Sequence, residues 1–211
     1  MRTVLQIILF AVAVVLAYFV YKSIQDPLDF EKAKNERYDA VVQKLKDIRK
    51  AQVAYKDVYG RYTGSWDTLI NFVKLDSVKN VYSVGMLTDS MLAEGIDTEK
   101  KALRLGLIIR DTIRESVLTS IFTPDYLIDD LQYIPNIDEK IEFHLGATIF
   151  TTGSGIKVPI FEAKAHNNNI LMGLDRQLVI NLNDERRIQG KYPGLRVGSL
   201  VEANNNAGNW E

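Results

Sequence analysis

VLQIILFAVAVVLAYFVY, residues 4–21, contains no charge and one polar side chain, Gln6. Wound as a helix, a stretch of that length rises ~27 Å, close to the ~30 Å hydrocarbon core of a bilayer. Arg2 precedes it and Lys22 follows it. Tyr18 and Tyr21 lie toward one end, where a ring with a polar tip suits the lipid–water interface. A cleaved signal peptide has a shorter apolar core, roughly 7–15 residues, followed by a small-x-small site. Neither feature fits, so residues 1–25 are expected to form a retained transmembrane anchor. Its membrane-embedded side chains are Val4, Leu5, Ile7, Ile8, Leu9, Phe10, Val12, Val14, Val15, Leu16 and Phe19. Gln6 is expected to hydrogen-bond to a neighbouring helix, a modest gain inside lipid.

Beyond the anchor, Asp26-Pro27 reads as a helix restart, with aspartate as cap and proline in the first turn. Residues 28–59 hold no further proline or glycine. Tyr38, Val41, Leu45, Ile48, Gln52, Tyr55 and Tyr59 recur at spacings of three and four. Such spacing puts them on one stripe of a helix over residues 26–60. Lys44, Asp47, Lys50 and Lys56 fall off the stripe. Leu45, Ile48, Tyr55 and Tyr59 are expected to pack in the chain's own core. Tyr38 and Val41, nearer the membrane, are expected to pack on a partner. Gly60 is the helix stop. Ser65 or Asp67 caps a short helix carrying Leu69, Ile70, Phe72 and Val73.

Further along, residues 97–103 read as a helix stopped by Gly106, and residues 107–117 as a β-branched strand. Residues 126–134 show no decisive period, and Ile134-Pro135-Asn136 is a turn. Ile141, Phe143, Leu145, Ala147 and Ile149 alternate with more polar neighbours, predicting a strand over residues 140–150. Residues 156–165 return across Gly153-Ser154-Gly155 as the second arm of a hairpin. Pro159 predicts an edge position or a bulge there. His166-Asn167-Asn168-Asn169 reads as a turn. Asp175 caps a helix with Leu178, Val179, Leu182 and Ile188 on one face, although residues 178–182 also fit a strand. Residues 195–201 form a last short strand, and residues 203–211 a polar tail with Trp210 available to dock it. The expected fold class is α+β. A transmembrane helix continues into a long amphipathic helix packed on a small antiparallel sheet with additional helices, the soluble domain spanning residues 61–202.

Hydrophobic residues make up 46% and charged residues 25% of the 211, a globular composition. The net charge of −1 gives no electrostatic reason for a nucleic-acid partner. Without cysteine there is no disulfide framework, thiolate metal site or thiol nucleophile. His144 and His166 stand in no metal-ligand spacing, and Gly153-Ser154-Gly155 lacks the flanks of a nucleophile elbow. Asp129 and Asp130 are adjacent, so their carboxylates point apart. Lys44, Lys46, Arg49 and Lys50 read as a solvated helix face. No enzyme and no cofactor are expected.

Ile48-x2-Ala51-x3-Tyr55-x3-Tyr59-Gly60-x-Tyr62-Thr63, followed by Leu69, resembles the end of the long first helix in type IV pilin-like proteins, and most closely the pseudopilins of type II secretion. The resemblance covers about residues 1–73. It implies a membrane helix running straight into the core helix and a role as a structural subunit. It also implies a bacterial inner-membrane location with the C-terminal part in the periplasm, and partners among envelope proteins, including copies of the chain itself. Gln6 stands roughly where the family carries a glutamate, and Thr63 where it carries a proline. No glycine precedes the apolar run, so prepilin-peptidase processing is not expected. Some pilin-like relatives hold calcium in a late loop. Glu202, Asn204, Asn205 and Asn206 offer oxygens for it here, the alternative being a plain polar tail. The alternative function is a monomeric, membrane-tethered binding module outside the cytoplasm.

Overall fold

The computed structural model describes residues 2–211 apart from Leu87, Glu94, Asp97 and Pro124. In chain order the elements are α1 (Arg2–Tyr59), α2 (Trp66–Leu75), β1 (Ser77–Val84), α3 (Asp89–Ala93), α4 (Glu99–Arg104), β2 (Ile109–Ser116) and α5 (Val117–Ile121). A 3-10 turn, Ile128–Gln132, precedes β3 (His144–Thr151), β4 (Lys157–His166), α6 (Asn167–Ile170), α7 (Arg176–Ile188) and β5 (Gly194–Gly198). The fold class is α+β, as expected.

α1 is uninterrupted, so Pro27 lies inside it and does not restart it. An interior proline deletes one i→i−4 hydrogen bond and crowds the carbonyl four residues back. Here that carbonyl belongs to Ser23, and both residues are exposed, so solvent takes the freed acceptor. Gln25 Nε2 donates to Asp29 Oδ1 at 2.9 Å, bracing the helix across the proline.

The packing divides into two compact units. One comprises α1 up to Arg49 with Leu131–Glu211. Its sheet is antiparallel in the order β3-β4-β5. Leu145 faces Ala163 and Ile149 faces Pro159 across β3 and β4, while Glu162 faces Gly198 and His166 faces Gly194 across β4 and β5. Pro159 is tolerated because β5 reaches only residues 162–166 of β4. The core includes Val41, Leu45 and Ile48 of α1, Phe161 and Ala163 of β4, Leu195 and Val197 of β5, and Phe143, Ile170 and Leu171. α7 forms as a helix, with the Asp175 side chain accepting from the Leu178 N–H at 3.0 Å. Its buried positions are Val179 and Asn183; Ile188 is exposed, because it stands on the last turn beyond the packed face.

β5 ends at Gly198, earlier than expected, where φ is +71° and a Cβ would collide with the Phe161 carbonyl. The tail then folds back along β5. Gly198 N–H donates to Ala207 C=O and Asn209 N–H to Arg196 C=O, both at 3.0 Å. Val197 bridges Gly208. Asn209 Nδ2 adds a bond to Gly194 C=O at 2.9 Å.

The second unit is Lys50–Asp130. The Ser65 hydroxyl caps α2 by accepting from Thr68 N–H, and Leu69, Ile70, Phe72 and Val73 are buried. β1 and β2 form a two-stranded antiparallel ribbon from Ser77–Ser116 to Val84–Ile109. Between them, Ile96, Ala102 and Ile108 make a small satellite core with Met91.

Candidate functional site

The apolar run of α1 is bare on every side. Ile7 is 68% and Phe10 73% exposed, and every described side chain from Gln6 to Ile24 is exposed. Val4 and Leu5 lie in α1, but their side chains are outside what is described. A core helix that apolar would be covered; one left uncovered all round matches a lipid solvent. α1 is the one helix among the described residues long and apolar enough to cross a membrane. Cover begins abruptly at Phe30, which is buried. Phe30 lies about 12 Å of helix rise beyond Lys22.

Tyr38 and Val41 correct the expectation of partner packing. Val41 is fully buried in its own chain. The Tyr38 hydroxyl donates to Asn167 Oδ1 at 2.6 Å, and the Arg186 guanidinium stands 5.7 Å from its ring centre. Burial pushes the Tyr38 phenol up, against the opposing charge of Arg186. Arg37, just before it, donates to the carbonyls of Ile170 and Met172 at 3.1 and 2.7 Å. α6 and the loop after it therefore reach further toward the anchor than the stripe alone implied. Asn167 and Asn183, both buried, continue the network: Asn167 Nδ2 donates to Asn183 Oδ1, and Asn183 Nδ2 to Asn168 Oδ1. No sequence pattern marked these amides, because their partners are far apart in the chain.

The remaining stripe residues divide. Leu45 and Ile48 are fully buried, and Tyr55 nearly so. Tyr59 is half exposed, which corrects its placement in the core: at the last turn it leans on Tyr55 and Phe72 and donates to Asp76 Oδ2 at 2.6 Å. That hydrogen bond raises its phenol pKa. Gln52 is fully buried, with Nε2 donating to Thr63 C=O and Oε1 accepting from Thr63 N–H. Gly60 has φ +71° and closes the helix on the Lys56 carbonyl.

The residues considered for chemistry do not converge. His144 is exposed on β3, while His166 Nδ1 caps α6 by accepting from Asn168 N–H. Burial lowers the His166 pKa, with Arg187 adding to the effect. Asp129 is ion-paired with Lys74 at 2.6 Å. Ser154 shares a hydrogen bond with Thr152 inside the hairpin turn. Glu162, which sequence reasoning passed over, is buried in β4 and neutralised by Lys164 at 2.5 Å and Arg196 at 3.6 Å. Glu202 is exposed, and Asn204 Nδ2 donates to Ala207 C=O. Asn205 and Asn206 take positive φ to turn the tail, and the Asn206 carbonyl accepts from Arg49. A guanidinium thus occupies one of the oxygens considered for calcium. An open hollow of about 400 Å³ is lined by Leu171, Met172, Leu174 and Val179, with Asn168 and Arg176 also on its wall. No protein-family model, curated protein or solved structure matches the chain.

Proposed function

We propose that this chain is a single-pass, membrane-anchored subunit of a cell-envelope assembly, pilin-like in design and acting by protein–protein packing without turnover. The observation that carries the reading is α1. One unbroken helix bears an uncovered apolar segment at one end and a core stripe at the other, so lipid insertion and the folded core are mechanically one piece. The resemblance of residues 48–69 to pseudopilins supports placing the C-terminal part in the periplasm of a bacterial inner membrane. Gln6, exposed within the apolar segment, offers the polar contact for a neighbouring helix.

The test has two steps. The full-length chain is expected to stay with membranes through an alkaline carbonate wash; release into the supernatant defeats the anchor. Replacing residues 2–25 by an unrelated single-pass helix is then expected to keep the protein in the membrane and abolish its copurification as a multi-copy complex. Undiminished function after that exchange favours the second reading, a tethered monomeric binding module. The cover over Tyr38 and Val41 speaks for the latter, since it leaves less of the stripe for neighbours.

A further inference from the structure

A sheet edge carries unpaired backbone donors and acceptors, and proteins ordinarily blunt it with charge, proline, a bulge or a covering segment. The edges of the β3-β4-β5 sheet are treated unequally. β5 is covered by the chain's own tail, through the Gly198–Ala207 and Asn209–Arg196 hydrogen bonds. The stretch of β4 that β5 does not reach carries Pro159, with Lys157 at its end. Just before β3 the same outer side is covered by residues 132–134, with Phe143 N–H donating to Gln132 C=O at 2.8 Å and Ile134 N–H to Ile141 C=O at 2.9 Å. From Leu145 onward β3 has none of these devices. Its sequence, HLGATIFT, holds no proline and no Asp, Glu, Lys or Arg, and among the described residues no strand pairs with its outer side.

The register identifies which groups are free. Pro159 has no N–H, so the Ile149–Pro159 pair is not a hydrogen-bonded one. Thr152 N–H bonds Ile156 C=O at 2.9 Å, in phase with that assignment. By alternation Leu145, Ala147, Ile149 and Thr151 turn their N–H and C=O groups away from β4. Ile149, one of these, is also 63% exposed.

We propose that β3 is a self-association edge, pairing antiparallel with β3 of a second copy. An extended backbone is the one partner that answers this row of donors and acceptors. A second copy fits because a strand without formal charge brings no like charges together. The register that engages all four outward residues on each side centres on Thr148. It sets Thr148 against Thr148, Ala147 against Ile149, and Leu145 against Thr151. Threonine pairs and apolar pairs are favourable cross-strand neighbours. The proposal names a partner for the assembly reading and rests on that reading for its setting in the membrane.

The chain has no cysteine, so a single introduced thiol reports without background. Full-length protein in phospholipid vesicles, mildly oxidised, is expected to form a disulfide-linked dimer as Thr148→Cys and not as Thr151→Cys. In the proposed register position 148 meets its own copy in a non-hydrogen-bonded pair, Cα atoms ~4.5 Å apart, whereas the two copies of position 151 lie about 20 Å apart. Adding Ala147→Pro to Thr148→Cys removes an outward donor without touching the β3–β4 ladder, and is expected to reduce dimer formation about tenfold. Ile149→Lys, at an exposed position, is expected to do the same by charge. Circular dichroism confirms that each variant is folded. Equal cross-linking at positions 148 and 151, or none at 148 in folded protein, overturns the proposal. Membrane retention of the same samples reports on the anchor separately, so a chain that stays in the vesicles without the dimer loses this inference alone.

Discussion

Gln52 shows how one residue is decided by burial. It falls on the apolar stripe of α1, yet its amide takes both backbone groups of Thr63 and so fastens the turn after Gly60 to the helix. Gln52→Leu keeps the volume and strands a buried donor and acceptor. The expected loss is about 2–4 kcal/mol, read by denaturant titration. Glu211 makes the opposite case at the surface. Its hydrogen bond to Arg49 at 2.7 Å holds the carboxyl below the usual glutamate range. A depressed folded-state pKa means the contribution is present above the ordinary glutamate value and disappears as pH falls through the folded one. Acidification across that window is therefore expected to loosen the tail. Trp210 stacks over Gly208 in that tail, so its fluorescence in a Trp66→Phe background is the readout. Arg49→Gln is expected to remove the pH step.

At the scale of elements, α1 carries most of the meaning. Asp26-Pro27 has the composition of a helix start, and the apolar run and the stripe lie on either side of it. The structure joins them, because a proline on an exposed stretch costs one hydrogen bond and leaves the rest of the ladder intact. Spin labels at Val20→Cys and Asp39→Cys, both exposed, test the join. A straight helix separates those backbones by ~28 Å; a markedly shorter distance shows a break at Pro27. The hairpin of β3 and β4, the caps of α2 and α7 and the stop at Gly60 were all legible locally. Alternation, capping side chains and a left-handed glycine act within a few residues. β1 was not read, since SVKNVYSV gains its strand character by pairing with β2. Tyr38 and Val41 were misassigned for a related reason: a helical period says which residues share a face, and nothing of what covers it.

For the whole molecule, the apolar end of α1 and the folded units differ in what covers them. No side chain described from Gln6 to Ile24 is buried in the chain. Deleting residues 2–24 is therefore expected to abolish membrane association while leaving the thermal unfolding midpoint of the remainder unchanged within a few degrees. A large fall in that midpoint would show the segment to be part of the core. The residues of the apolar segment are contiguous, so composition over a short window reveals a helix long and apolar enough to cross a membrane. The α+β class and the longer periodic segments, the stripe of α1, the β3–β4 hairpin and α7, were also accessible, because periods of 3.6 and 2 are written along the chain; β1 and the short helices α3, α5 and α6 were not. The division into two packing units, the amide network joining Tyr38, Asn167 and Asn183, the docked tail and the open edge of β3 were not. Each depends on groups distant in sequence meeting in space, and which hydrogen bonds remain unmade on β3 is settled only when every other strand has found its place.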